Sequence, residues 1–238
     1  MSRRSVEVTA DLVLRAYRHG LFPMAEGRLA DKLFWLDPVK RGVLPLDGFH
    51  LSRRLLRTVL SPLYQVRVDT NFAGTIAGCA TPLPGRVDTW INPQIEKLFT
   101  ELYRMGYAHS VETWHGTELV GGLYGVAMGG VFFGESMFSF ARDASKVALV
   151  HLVARLRLGG FRLLDTQFVT SHLQQFGAEE IPRDIYRTQL SEALEVPTLW
   201  LPDPGDEALG AEFRRLARRG LEGWGDQETE GAVANRER

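Results

Sequence analysis

Glu135 and Ser136 follow an apolar run, Val131-Phe132-Phe133-Gly134, and a second polar string, Asp165-Thr166-Gln167, closes a later apolar run from Phe161. A carboxylate set between Phe133 and Met137-Phe138 is costly to bury unless it has a partner or a chemical task. Gly134 can take backbone angles closed to other residues, and so can turn the polar pair out of a strand. Residues 130–167 read as strand, helix, strand, a crossover unit. Such a unit sets the carboxyl ends of its two strands side by side. Glu135, Asp165 and Gln167 would then meet at one spot, where two carboxylates and an amide can orient a nucleophile, hold a cation or accept a proton. The structural alternative is a pair of strand-end acids bonded to backbone amides. His172 lies close by in sequence and reads as a satisfied structural histidine.

The remaining elements must hold those strand ends. Thr9 caps a short helix over residues 9–19, which Gly20 stops. Leu21-Phe22-Pro23-Met24 follows as an exposed apolar tetrad, then a polar loop over 25–32. A helix begins near Ser52, residues 64–69 alternate as a strand, and 71–79 form a short helix. Pro93 opens a helix over 93–105. Strand-like runs occupy 107–114, 117–127 and 130–138, bent or joined at Gly121-Gly122 and Gly129-Gly130. Residues 144–158 are apolar nearly all round, so that helix is predicted to be buried. Further helices are predicted at 182–193 and 206–219, with a disordered polar tail after them.

Bulk properties remove several function classes. The chain has 238 residues, 24% of them charged, and a net charge of -1. No global field recruits a polyanion, so any nucleic-acid contact needs a local patch. The single cysteine, Cys79, excludes an intrachain disulfide and a cysteine-cluster metal site. The six histidines form no zinc-binding spacing. The first 20 residues lack the apolar core of a signal peptide. No run approaches the ~18 apolar residues of a membrane helix, which predicts a cytoplasmic chain. Charge concentrates over 40–67, where Lys40, Arg41, Arg53, Arg54, Arg57 and Arg67 are opposed only by Asp47. Arg53 and Arg57 share a helix face, and the scarcity of acids makes phosphate binding a competitor to a merely solvated face.

Several longer strings then resemble a known family: AYRHGLFPM (16–24), RGVLPLDGFHLSRRLLR (41–57), TWINPQI (89–95), GYAHSVETWHGTELVGGLYGVAMGGVFFGESMFS (106–139), ASKVALVHLVARL (144–156) and LLDTQFVTSHLQQFGAEEIPR (163–183). Together they resemble the bacterial leucyl/phenylalanyl-tRNA–protein transferases, in order from about residue 9 to 200. The resemblance implies transfer of leucine, phenylalanine or sometimes methionine from tRNA to the N-terminal arginine or lysine of a protein, marking it for N-end-rule degradation. It implies an α+β fold in which a mixed-sheet domain of the GNAT acetyltransferase type (39–200) carries a small N-terminal domain (1–38); residues 201–238 lie outside the resemblance and are expected to form a partly disordered C-terminal extension. It also implies that the chain starts about one helix later than many members.

Position by position, Asp165 and Gln167 match the family's catalytic pair, and Glu135 its active-site glutamate. Trp114, Phe132 and Gly121-Gly122-Leu123-Tyr124 match positions in or near the pocket for the transferred side chain, and Ser136 adjoins Glu135. Met24 stands where many members have tryptophan. The donor is an activated ester, so no cofactor or metal is required. The nucleophile is an α-amine with an unperturbed pKa of about 7.7–8.0 that must lose a proton. Asp165 with Gln167 is expected to orient that amine and help accept the proton, and Glu135 to hold the acceptor's cation or share the proton work. Lys40, Arg41, Arg53, Arg54 and Arg57 are expected to meet the tRNA acceptor stem, and the enzyme to act as a monomer. The rivals are a CoA-dependent acyltransferase, whose R/Q-x-x-G-x-G/A loop the chain lacks, a peptidoglycan-type tRNA-dependent transferase, and a tRNA-binding protein without turnover.

Overall fold

The computed structural model describes residues 8–82 and 88–218. Within them lies a seven-stranded mixed sheet in the order β4-β5-β6-β7-β8-β3-β9, with helices packed on both faces. The strands are β3 (Lys40–Val43), β4 (Gln65–Val68), β5 (Ala108–His115), β6 (Glu118–Met128), β7 (Val131–Ser139), β8 (Leu163–Gln167) and β9 (Glu179–Pro182). A separate hairpin pairs β1 (Phe22–Ala25) with β2 (Leu33–Leu36). Side-chain alternation divides the strands between two cores. Phe133 and Leu163 join Tyr124, helix α1 (Ala10–Arg18), α3 (Phe72–Ala80), α4 (Pro93–Arg104) and α7 (Arg183–Leu194) on one face. Phe132 and Leu164 join Leu123, α2 (Arg53–Val59) and α5 (Ala144–Leu158) on the other. A short helix, α6 (Ser171–Gln174), follows β8.

β7, α5 and β8 form the expected crossover, and β7 and β8 run parallel. Their ladder ends early, at Phe133 opposite Asp165. Beyond that pair β8 continues against β3, while β7 continues against β6. The two strand ends therefore part, and the sheet opens between them.

Several expectations need revision. Leu21 to Met24 is not an exposed tetrad: Phe22 and Pro23 are buried in strand β1, and Phe22 shares a core with Tyr17 and Val43. Residues 33–36 and 40–43 are strands, too short to show a period. The helix expected over 206–219 is present over the described residues 206–218, with Leu209, Phe213 and Leu216 buried beside α5. The predicted tail disorder falls outside the described residues. No helix among them is long and apolar enough to cross a membrane.

Candidate active site

Tyr124 faces Ser136 across the β6–β7 ladder and Gly125 faces Gly134, so Glu135 is the extra residue of a β-bulge. Bulges re-aim side chains, and this one turns the Glu135 carboxylate toward α1. There the Tyr17 hydroxyl donates to Glu135 Oε1 at 2.6 Å, and Gln167 Nε2 reaches the same oxygen at 3.4 Å. Removal from water pushes the Glu135 carboxyl up to about 8; the Tyr17 bond opposes that shift, the Asp165 charge adds to it, and Arg41 opposes it. The buried Tyr17 hydroxyl is itself raised well above its ordinary value by burial and by Glu135.

Gly134 does not act as expected. Its φ is not positive, and an added Cβ would meet only Asp165 O at 3.5 Å and Leu164 Cδ1 at 3.8 Å. The special backbone angle is at Gln167, with φ 56°. Asp165 Oδ1 accepts from the Gln167 backbone N–H at 2.8 Å and helps hold that turn. A Cβ on Gly42, in the partner strand β3, would stand 2.5 Å from the Phe168 carbonyl carbon, so only glycine lets β3 pass this bend.

Asp165 has no exposed surface. Arg41 Nε and Nη2 grip it at 2.9 and 2.6 Å, and the Tyr186 hydroxyl donates to it at 2.6 Å. Arg41 is 1% exposed, bonds the Gly20 carbonyl, and lies between the rings of Phe22 and Tyr186. Two expectations change. Arg41 belongs to no exposed basic patch, because its charge is spent on Asp165. Asp165 stands behind Gln167, its oxygens taken, and does not line the cleft. Burial, then Asp165, pushes the Tyr186 phenol upward, so it stays a donor.

The opening between β7 and β8 is a cleft of about 980 Å³. Glu135, Ser136, Gln167 and Met24 line it, as do Leu123 and Tyr124. On the α5 side its wall is Leu123, Met137, Leu149, Leu152, Leu164 and Leu173; on the α1 side it is Phe22, Pro23, Met24 and Trp90. His172 lines the cleft too, its pKa lowered by burial. Four expected pocket residues are elsewhere. Phe132 stacks on Trp200 at 5.6 Å, Trp114 lies under Arg67 on β5, and Gly121 and Gly122 pack against Ala144 and the Val111 carbonyl. Each shares the sheet with the site, but alternation or strand order carries it away from the opening. Tyr17, Tyr186, Trp90 and Phe168 were missed. Tyr17, Trp90 and Phe168 sit within the strings that carry the resemblance, and Tyr17 lies on the buried face of α1. An aromatic residue there is ordinarily core, and nothing local announces an acid 118 positions away.

Of the expected tRNA-binding cations, Arg53, Arg54 and Arg57 are exposed on α2. Arg54 pairs with Asp143 at 2.5 Å, and Lys40 with Glu180 at 3.6 Å. No group of three or more His, Cys, Asp or Glu among the described residues could hold a metal ion.

Comparison with known proteins bears on this geometry. Residues 43–191 match the family model described as leucyl/phenylalanyl-tRNA protein transferase, and residues 7–39 match that described as its N-terminal domain. The chain is 61% identical over 189 residues to the leucyl/phenylalanyl-tRNA–protein transferase of Caulobacter vibrioides strain NA1000 / CB15N, covering 79% of this chain and 87% of that protein. It is 52% identical over 213 residues to the protein of that name from Afipia carboxidovorans, covering 89% and 94%. With the one from Paramagnetospirillum magneticum it shares 58% over 193 residues, covering 81% and 92%.

Proposed function

The chain belongs to the leucyl/phenylalanyl-tRNA protein transferase family, and from that premise we propose that it moves leucine or phenylalanine, and methionine more weakly, from aminoacyl-tRNA to an N-terminal arginine or lysine of a protein. The new peptide bond makes an N-degron. The observation that carries this reading is the cleft itself, with an apolar wall on one side of the parted strands and an elevated carboxyl on the other.

The leucine-rich wall suits an aliphatic or aromatic side chain. Apolar pockets separate similar side chains by only about 1–3 kcal/mol per methylene, so some use of methionine follows. Glu135 suits the acceptor. An arginine or lysine side chain brought against a half-buried carboxylate gains a charge-assisted bond that a neutral residue cannot make. Ionised beside that cation, it can also take a proton from an α-amine titrating near 7.7–8.0. Gln167 orients that amine beside Glu135. Asp165, held by Arg41, is a positioning residue that fixes the Gln167 turn. Much of the rate comes from holding two substrates in one geometry. Exposed Arg53, Arg54 and Arg57, with Lys40, meet the tRNA acceptor stem.

The strands that part after a short parallel ladder support a GNAT-type domain over 39–200, with a small N-terminal domain over 1–38 and an extension over 201–238. Aminoacyl-tRNA as donor implies action in the cytoplasm, and one cleft holding both substrates is consistent with a monomer.

The test is transfer from leucyl-tRNA carrying labelled leucine, without CoA, to reporters that begin with Arg, Lys, Asp or Met. Label confined to the Arg and Lys reporters is expected. Label on the Asp reporter would overturn the role of Glu135; retained tRNA binding with no label would leave a tRNA-binding protein without turnover.

A further inference from the structure

Two buried side-chain hydroxyls, those of Tyr124 and Thr166, have no hydrogen-bond partner among the described residues, and both residues line the cleft. Native folds leave few such groups, because a hydroxyl taken from water without a partner is unfavourable. Finding both at one cleft points to a ligand that completes them. Tyr124 belongs with the Glu135 side, whose charge acts on its hydroxyl. Thr166 is different. Strand alternation sets its side chain on the face opposite Asp165 and Gln167. Its neighbour on that face is Leu164, in the core that also holds Leu123, Leu149 and Leu173.

We propose that the Thr166 hydroxyl donates a hydrogen bond to the carbonyl oxygen of the aminoacyl ester and to the oxyanion that forms from it; this rests on the transfer reaction proposed above. The donor's side chain against the leucine-rich wall brings its ester carbonyl to the gap between β7 and β8, beside Thr166. The acceptor amine approaches from the Glu135 side. Its nitrogen bonds to the carbonyl carbon, and the carbonyl electron pair moves onto oxygen, where Thr166 meets it. The pair then returns, the bond from carbonyl carbon to ribose oxygen breaks, and the ribose hydroxyl leaves with a proton balancing the one lost by the amine. Threonine carries a methyl on the same carbon, so one χ1 rotation exchanges methyl and hydroxyl at the wall. A donor aimed at developing charge acts mainly on turnover, and loss of one such donor costs about 10²–10³-fold in rate.

Thr166→Val, Thr166→Ser and the wild type are compared as full chains in the leucyl-tRNA transfer assay, alongside thermal unfolding and tRNA binding. The assignment expects Thr166→Val to lose about 10²–10³-fold in kcat. Its KM for each substrate should be little changed, and its Tm equal to or above wild type, because valine fills the same space without stranding a hydroxyl. Thr166→Ser should keep most activity. A Thr166→Val enzyme with wild-type kcat overturns the assignment. So does a lowered Tm with equal losses in both variants, the signature of a packing role. A wild-type protein that transfers nothing overturns the transfer reading first, and this assignment with it.

Discussion

A carboxyl held at about 8 is mostly protonated at neutral pH, so Glu135 weakens the fold wherever the unfolded chain would ionise it. The sign follows from linkage. The unfolded glutamate titrates near 4.3 and the folded one near 8, so the folded state binds the extra proton between those values. Stability therefore falls as pH rises through that window, and the deficit is fully present above 8. Glu135→Gln keeps the shape and removes the ionisation. Its Tm should exceed wild type at pH 8.5, by a few degrees if the relief is about 1 kcal/mol, and the gap should close near pH 4.5. Thermal scans at the two pH values check this; equal Tm at both would mean the carboxyl is not strained. The same variant should lose preference for arginine-first acceptors. Arg41 and Asp165 behave in the opposite way. Both are buried, and removing one leaves the other an uncompensated charge, at a cost of about 3–5 kcal/mol. Arg41→Met and Asp165→Asn should each unfold at clearly lower denaturant concentration, and the two substitutions together should recover much of the loss. If the losses of the singles simply add in the double variant, the two are not coupled. Activity lost in Asp165→Asn is then to be read as a displaced Gln167.

At the scale of the element, two departures from regular structure make the site: the bulge at Glu135 and the left-handed turn at Gln167. The glycine that matters stands across from the second. Gly42→Ala would drive a methyl into the Phe168 backbone, whereas Gly134→Ala meets ordinary contacts. Gly42→Ala should therefore lower Tm and transfer together, and Gly134→Ala should leave both near wild type. Comparable losses in the two would mean that Gly134 supplies the flexibility after all. The sequence pattern gave β5 to β7, α5 and the crossover, because periods of two and 3.6 residues persist long enough there to be read. β3 and β9, at four residues each, carry no period. Arg41 looked like part of a basic run because charge is local in sequence while its partner lies 124 residues away. Phe132 fell within a matched string and shares a core with the leucine-rich wall, but its ring stacks on Trp200 and does not reach the cleft. Asp165, Gln167 and Glu135 were legible as neighbours; which of them faces the cleft depended on Arg41 and Tyr17.

The whole molecule has to bring a polyanion to a cleft while carrying a net charge of -1. Its acids are not idle near the cations. Asp143 takes up Arg54, Arg142 and Lys146, Glu180 meets Lys40, and Asp37 meets Arg183 and Arg187. The docked helix over 206–218 takes Arg157 through Glu212 and backs α5, whose other side forms the leucine-rich wall. Among the described residues Arg53 and Arg57 on α2 form no salt bridge, and α2 packs on α5, the helix that lines the cleft. A tRNA drawn to this face would place its acceptor end toward the opening between β7 and β8. Each phosphate neutralised adds about 0.7–0.9 to the slope of log affinity against log salt. Reversing Arg53 and Arg57 together should weaken tRNA binding and flatten that slope by roughly two of those increments. Reversing Arg54, already shared with Asp143, should flatten it less. Filter binding of uncharged tRNA from low to physiological salt reads both quantities. A slope unchanged in the Arg53 and Arg57 variant would return α2 to the role of a solvated helix and move the tRNA to another face.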